Sequence, residues 1–123
     1  MITIQPGFPD NVVALACEGQ VTRKDYDDIL VPAVEAALAR HQKLRLYYDI
    51  GPGFTGMDPG AMWEDFLVGM QHLMRWERVA VVTDVPWIAH TVNAFRFLMP
   101  GKVRVFTGTD RKVAQDWIAA ADR

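Results

Sequence analysis

The sequence at residues 78–87 is RVAVVTDVPW. Its apolar part, Val79 to Thr83, is continuous, which is typical of a strand that is buried on both faces of a parallel sheet. Pro86 follows and predicts the start of a helix, because the first helical position does not need the N–H that proline lacks. A buried strand followed at once by a helix is the repeating unit of an α/β domain.

The same alternation continues on both sides of this segment. Leu44 to Ile50 has apolar residues on both faces and predicts a central strand, and Gly51-Pro52-Gly53 is predicted to end it and to form a flexible hinge. The helix that Pro86 begins is predicted to end near Pro100-Gly101. Val103 to Phe106 is then the last strand, and Thr109 is predicted to cap a final helix.

The beginning of the chain predicts a hairpin and a helix. Met1 to Gln5 and Asn11 to Glu18 are predicted to pair as two antiparallel strands around a turn rich in proline and glycine. Thr22, with Asp25 three residues later, predicts a capping box at the start of a helix. The apolar stripe of this helix continues past Pro32, so we predict one kinked helix rather than two helices.

The order of these elements predicts the fold class. A chain of 123 residues is of the usual size for one domain, so residues 1–123 are predicted to form a single α/β domain. The predicted order is β-β-α-β-α-β-α-β-α. Strands that alternate with helices form parallel sheets through right-handed crossovers. We therefore predict a five-stranded, mixed and mostly parallel sheet with four helices.

Composition excludes several classes of protein. The net charge is −2 and the 13 basic residues are scattered along the sequence, so no basic stripe points to nucleic acid. The one cysteine, Cys17, lies in an apolar strand and is expected to be a buried thiol in a reducing compartment. No apolar run reaches the roughly 18 residues of a membrane span, and no signal peptide is evident. A soluble, cytoplasmic protein is expected.

Residues 58–74 carry the best candidate for a binding surface. Asp58 is predicted to cap a helix with Pro59 at its first position, and the apolar residues of this helix fall within an arc of about 140°. Packing on the sheet explains most of that arc, but it does not explain the choice of methionine, which is common on adaptable binding faces. The expected ligand-binding residues are Phe54, Met57, Met62, Trp63, Phe66, Leu67, Met70 and Trp87.

A second candidate surface is of the partner-binding kind. His90 and Phe97 lie two turns apart on one flank of the helix that Pro86 begins, and together with Asp58 they are the expected partner surface. An exposed apolar surface of this kind would also favour a homodimer. Contact with a membrane, if there is any, would be weak and peripheral because the polar side of residues 58–74 is not basic.

The residues that could carry out chemistry favour structural roles. Asp49, Asp58 and Asp84 are predicted at one rim of the sheet, where a carboxylate cluster could bind a metal or act as a general base. The alternative is that Asp58 caps its helix while Asp49 and Asp84 accept bonds from backbone N–H groups in turns. The chain contains no serine, which excludes a Ser-His-Asp triad. We expect no catalytic residue, metal or cofactor, and no enzyme activity.

Several strings resemble the SpoIIAA-like family, whose members are similar to STAS-domain anti-sigma-factor antagonists. These strings are residues 78–84 with Trp87, residues 102–106 (KVRVF), and Ala114 followed by Trp117-Ile118. In STAS antagonists, a serine at the start of a helix is phosphorylated and the added charge breaks the complex with the partner. The corresponding stretch here is Met57-Asp58-Pro59-Gly60, in which proline occupies the place of the hydroxyl. The resemblance also implies features shared with CRAL-TRIO lipid-transfer domains.

Two functional hypotheses follow from the residues and the resemblance. The first is a non-enzymatic binding domain that holds a small apolar or lipid-like ligand under a mobile amphipathic helix. The second is a protein-interaction regulator of anti-sigma-antagonist type that lacks the phospho-acceptor serine.

Overall fold

The computed structural model describes residues 1–57, 75–96 and 101–120. These ranges contain five strands: β1 (Ile2–Ile4), β2 (Val12–Val21), β3 (Leu44–Met57), β4 (Trp76–Val82) and β5 (Lys102–Phe106). Helix α1 consists of three consecutive segments, α-helical Arg23–Asp25, π-helical Tyr26–Leu30 and α-helical Val31–Arg40. Helix α2 is Pro86–Phe95, and a 3-10 turn over Gly108–Asp110 precedes helix α3 (Arg111–Ala119).

The strands form one mixed sheet whose spatial order, β1-β2-β3-β4-β5, repeats their order along the chain. β1 pairs with β2 in antiparallel fashion, and every later neighbouring pair is parallel. The predicted five-stranded, mostly parallel α/β fold is confirmed. Of the four predicted helices, the one over residues 58–74 lies outside the described residues.

The two faces of the sheet are covered by different helices. On one face, α1 and α2 pack on Leu15, Tyr48 and Val81 through buried residues that include Leu30 and Ile88. On the opposite face, α3 forms a second, smaller core; its buried members are Val12, Ala14, Tyr47, Ala80, Val82, Phe106, Ala114 and Ile118. Alternate residues of β2, β3 and β4 therefore belong to different cores, as the pleat of a strand requires.

The third strand is longer than predicted. The hinge predicted at Gly51-Pro52-Gly53 is wrong, because β3 continues through these residues to Met57. Its second half pairs with the end of β2, where Gly19 lies opposite Phe54 and Val21 opposite Met57. Register shifts between Cys17 and Gln20 accommodate the irregular segment. Local turn signals were overridden here by pairing with a neighbouring strand.

Helix α1 passes Pro32 without a break, as predicted, and the structure shows how. The segment before the proline is π-helical, and the N–H of Val31 bonds to the carbonyl of Tyr26 five residues earlier. Such single π-turns absorb an interruption of the i→i−4 ladder. On the inner side of this segment the Tyr26 and Tyr48 hydroxyls are 2.7 Å apart and join helix to sheet inside the core.

The capping box predicted at the start of α1 is confirmed. The Thr22 hydroxyl accepts a bond from the Asp25 N–H at 3.2 Å, and the Asp25 carboxylate accepts a bond from the Thr22 N–H at 2.9 Å. Burial opposes the ionisation of Asp25, but the bonds from Thr22 and the amino group of Met1 outweigh it, so the pKa of Asp25 lies below its ordinary value.

Replacement of Thr22 by alanine is expected to lower the free energy of unfolding by about 1 kcal/mol at pH 7. A carboxyl group whose pKa is lower in the folded state contributes stability above its unfolded pKa and loses it as the pH falls through the folded value. Asp25→Asn should therefore destabilise the chain at pH 7 but hardly at all near pH 2. Urea unfolding at both pH values measures this, with Asp27→Asn as the exposed control on the same helix. Equal losses for Asp25→Asn at both pH values would contradict the expectation.

Two buried arginines fix the end of α3. Arg45 donates to the carbonyls of Ile118 (2.9 Å) and Ala120 (2.5 Å) and pairs with Glu77, while Arg78 donates to the carbonyl of Trp117 at 2.7 Å. The last carbonyls of a helix lack partners within it and carry partial negative charge, which cations satisfy. Within the described ranges, every buried side-chain nitrogen and oxygen has a hydrogen-bond partner.

The helices of the described ranges are all too short or too polar to cross a bilayer.

Candidate functional site

The carboxyl ends of β2 to β5 form the rim at which ligands bind in open α/β sheets. The described rim consists of the end of β3, the turn Thr83–Val85 after β4 and the turn after β5. Thr83 is buried, and its hydroxyl accepts a bond from the Val85 N–H at 3.0 Å, which shapes the turn into α2. As predicted, Pro86 begins that helix. The rim thus has a polar part on the α3 side and an apolar part on the α2 side.

The polar part is organised by an ion pair. Arg111, the first residue of α3, donates to both carboxylate oxygens of Asp49, at 2.7 and 3.2 Å. These bonds raise the pKa of Arg111 above its usual value. The Tyr47 hydroxyl lies between Asp49 and Gln115, at 3.4 Å from each, and burial together with the nearby carboxylate raises the pKa of Tyr47. Asp49 therefore serves to hold α3 on the sheet.

The aspartates predicted at the rim have separate structural partners. Asp49 is expected from the sequence to accept backbone N–H bonds; among the described residues its partners are instead the side chains of Arg111 and Tyr47. Asp84 does accept one, from the N–H of Gly108 at 3.0 Å. Asp58 lies outside the described residues. Thr109, expected to cap the last helix, instead bonds to Thr107, and α3 begins at Arg111 without a side-chain cap. In residues 1–57, 75–96 and 101–120 no three His, Cys, Asp or Glu side chains come together as metal ligands.

The apolar part of the rim is the outer surface of α2. Residues 85–95 contain no Asp, Glu, Lys or Arg. Ile88 and Val92 of this helix pack on the core with Val85, whereas Pro86, Trp87, His90, Thr91, Asn93 and Ala94 are exposed. An exposed helix face normally carries charged residues. We call these six exposed residues the α2 surface.

Trp87 is the most exposed large side chain of this surface, at 48%. Its position is fixed by the first turn of the helix, where its own carbonyl accepts a bond from the Thr91 hydroxyl at 2.7 Å. Single exposed apolar residues are common on proteins, but tryptophan is the residue most enriched at binding hot spots. A tryptophan on an uncharged helix face is therefore the strongest candidate contact residue of the described rim.

The expected ligand-binding residues are only partly described. Phe54 lies within β3, half buried, and packs against the core rather than in a glycine-rich loop. The backbone of Met57 ends the same strand. Trp87 is exposed on the α2 surface. The other members, Met62, Trp63, Phe66, Leu67 and Met70, lie outside the described residues, so the proposed apolar arc stays a prediction.

The expected partner surface is described at one residue. His90 is exposed on α2, next to Trp87 in the helical arrangement, whereas Asp58 and Phe97 lie outside the described residues. Cys17 is fully buried in β2, as expected. Sequence reasoning missed Arg111 and Gln115, because their partners are more than sixty residues away along the chain.

Comparison with known proteins agrees with this architecture. The SpoIIAA-like family model matches residues 12–119. The chain belongs to the SpoIIAA-like family. A crystal structure of an uncharacterized protein of the DUF3478 family with a SpoIIAA-like fold, from Shewanella loihica PV-4, superposes with a TM-score of 0.69 at 25% identity. The superposition covers 96% of this chain and 92% of that protein. No curated protein sequence matches the chain.

Membership of the SpoIIAA-like family gives the chain a STAS-type domain. Domains of this type are in general not enzymes. The family match spans every described strand except β1, together with all three helices. The rim and the α2 surface are therefore parts of the family domain itself and not of an added segment.

Proposed function

We propose that this SpoIIAA-like domain is a non-enzymatic, cytoplasmic protein-interaction regulator that binds its partner through the α2 surface. The observation that carries the proposal is Trp87, half exposed on an eleven-residue stretch without a formal charge. Small-molecule sites are concave, whereas the exposed face of a helix is convex. The described geometry therefore favours a protein partner over a small ligand at this surface.

The proposed regulation differs from a phospho-switch. The nearest hydroxyl to the position of the missing serine is Thr55, which is exposed within strand β3 rather than at the start of a helix. A phosphate on Thr55 would therefore be carried by a strand, whereas the free N–H groups that favour phosphate belong to the first turn of a helix. Control of binding is accordingly expected to depend on the partner or on a ligand rather than on a kinase.

A second candidate function is the binding of a small apolar or lipid-like molecule. Its specific support is Phe54, which lies half buried in β3 and packs against the larger of the two cores. The remaining residues of that hypothesis lie in 58–74. A bound apolar molecule would lie next to Phe54. If the Phe54→Ala variant no longer binds such a molecule, the ligand-binding function is favoured.

Replacement of Trp87 by alanine is expected to weaken partner binding at least tenfold while leaving the melting temperature within about 2 °C of wild type, because a hot-spot tryptophan contributes about 2 kcal/mol or more. Affinity purification with quantitative mass spectrometry would identify proteins lost with Trp87→Ala, and calorimetry with the purified partner would measure the change in affinity. The matched control is Val113→Ala, since Val113 is 52% exposed on α3 at the other side of the sheet.

Three outcomes separate the hypotheses. A partner lost with Trp87→Ala and kept with Val113→Ala supports the proposed function. Identical partners for wild type and both variants would contradict it. A native mass spectrum that shows an apolar molecule bound to wild type, but not to Phe54→Ala, would support the second candidate instead.

A further inference from the structure

The fold gathers basic residues that are scattered along the sequence. Seven of the 13 Lys and Arg residues lie at the amino ends of β3, β4 and β5 or in the segments that lead into them, although Arg45 and Arg78 among them are buried. The seven are Arg40, Lys43, Arg45, Arg75, Arg78, Lys102 and Arg104. Parallel strands begin at the same edge of a sheet, so these residues share one edge, opposite the rim.

Strand β5 brings two of these cations to the border of the described sheet. β5 pairs with β4 on one side only, and within the described residues no strand pairs with its other side. Lys102 and Arg104 are exposed, while Val103 and Val105, which alternate with them, are half buried. Val103 packs with the core on the α2 side. As the edge strand of the described sheet, β5 therefore has basic side chains, Lys102 and Arg104, on one face and the apolar Val103 and Val105 on the other.

The position of Arg104 is fixed by aromatic rings. Its guanidinium carbon lies 4.8 Å from the centre of the Phe106 ring and 5.3 Å from that of the Trp117 ring. Arg78 lies opposite Lys102 in the register of β4 and β5. Its guanidinium carbon also contacts the Trp117 ring, at 5.4 Å from the ring centre. Stacking holds the guanidinium in place without neutralising its charge. Less side-chain entropy is then lost when an anion binds.

A second copy of this chain is a poor occupant of this border. If two β5 strands paired in antiparallel fashion about Arg104, like charges would lie opposite one another across the new ladder, which is destabilising. Charged residues on a border strand are a known protection against such pairing. The same charges favour a strand of opposite charge.

We propose that the side of β5 that faces away from β4, and that pairs with no described strand, is a docking site for an extended acidic segment of another protein. The segment adds a further strand to the sheet through backbone hydrogen bonds, as in β-augmentation. Asp or Glu side chains at alternate positions lie beside Lys102 and Arg104, and the intervening apolar side chains lie beside Val103 and Val105 on the α2 side. This surface is separate from the α2 surface, so the proposal stands whether or not Trp87 binds a partner.

The test uses the full chain and a synthetic peptide in which glutamate alternates with valine. Amide chemical shifts are expected to change along β5, with slower hydrogen exchange there, and binding should weaken as salt is added. Lys102→Glu should weaken binding about threefold, and the Lys102→Glu/Arg104→Glu double variant about tenfold or more. The matched control is Lys24→Glu, an exposed lysine at the start of α1, which should leave the affinity unchanged.

Two further peptides make the result decisive. A peptide of the same composition with its glutamates in one block should bind at least fivefold more weakly, and so should an alternating peptide that is N-methylated at every second residue, because it cannot complete the ladder. Equal binding of all three peptides, equal affinity for the Lys102→Glu and Lys24→Glu variants, or shifts confined to residues outside β5 would each overturn the proposal. Lys102→Glu does not touch the aromatic stack, so it remains informative if the double variant unfolds.

Discussion

Replacement of Gly101 by alanine is expected to lower the free energy of unfolding by about 3 kcal/mol, a loss of about 10 °C in melting temperature for a chain of this size. A Cβ atom at Gly101 would lie 2.8 Å from the carbonyl oxygen of Glu77 and still closer to that of Trp76. Both are backbone atoms at the start of β4, so neither can move without disturbing the β4–β5 pairing. Glycine is therefore required by close approach of two chain segments and not by its dihedral angles.

The control for this variant is Gly53→Ala. Gly53 lies exposed in β3, its φ is not positive, and no atom lies within 4 Å of the position of an added Cβ. Alanine there should leave stability unchanged or raise it slightly, because it restricts the unfolded chain. Thermal and urea unfolding of the two variants measures the difference. Similar melting temperatures for Gly101→Ala and Gly53→Ala would show that β4 and β5 begin farther apart than described.

Replacement of Arg45 by methionine is the second change with a large expected effect, again about 3 kcal/mol. The Arg45 side chain is 6% exposed and binds two carbonyls at the end of α3 as well as the carboxylate of Glu77. Methionine fills similar space but leaves these carbonyls and a partly buried charge without their donor. We also expect the fluorescence of Trp117, which lies on α3, to change in Arg45→Met, because Arg45 no longer holds the end of that helix.

Two comparisons make the Arg45 prediction specific. Arg45→Lys should be intermediate, because an ammonium group cannot reproduce the planar, multiple bonding of a guanidinium. Arg40→Met removes an exposed pair with Asp10 (3.0 Å) and should cost less than about 1 kcal/mol. Urea unfolding followed by circular dichroism provides the values. A loss for Arg45→Met no larger than that for Arg40→Met would mean that the buried arginine is neutral to stability.

The fold was predictable because local signals and periodicity agreed along most of the chain. The run from Val79 to Thr83, the capping box at Thr22 and the proline at the start of α2 each indicated the element that the structure contains. The failure at β3 has a physical reason. Gly51-Pro52-Gly53 breaks a strand when judged by neighbours in sequence, but β2 supplies partners for Phe54 to Met57 that no local pattern reveals.

The site was less predictable because its contacts are distant in sequence. The pair between Asp49 and Arg111 joins residues 62 positions apart, and nothing near either residue indicates the other. The grouping of basic residues at the edge where the parallel strands begin could have been predicted from the sequence. Arg45, Arg78 and Arg104 each lie at or near the first residues of a predicted strand, and parallel strands must begin together. Counting charges along the chain hid this arrangement, whereas aligning the strand starts would have shown it.

The spatial order of the strands has a consequence for biosynthesis. Each strand pairs with the strand that the ribosome has just completed, so the sheet can grow in one direction as the chain emerges, without waiting for a distant partner. Arg45 and Arg78 are then already in place when α3 is synthesised, and α3 packs on them through the carbonyls at its end.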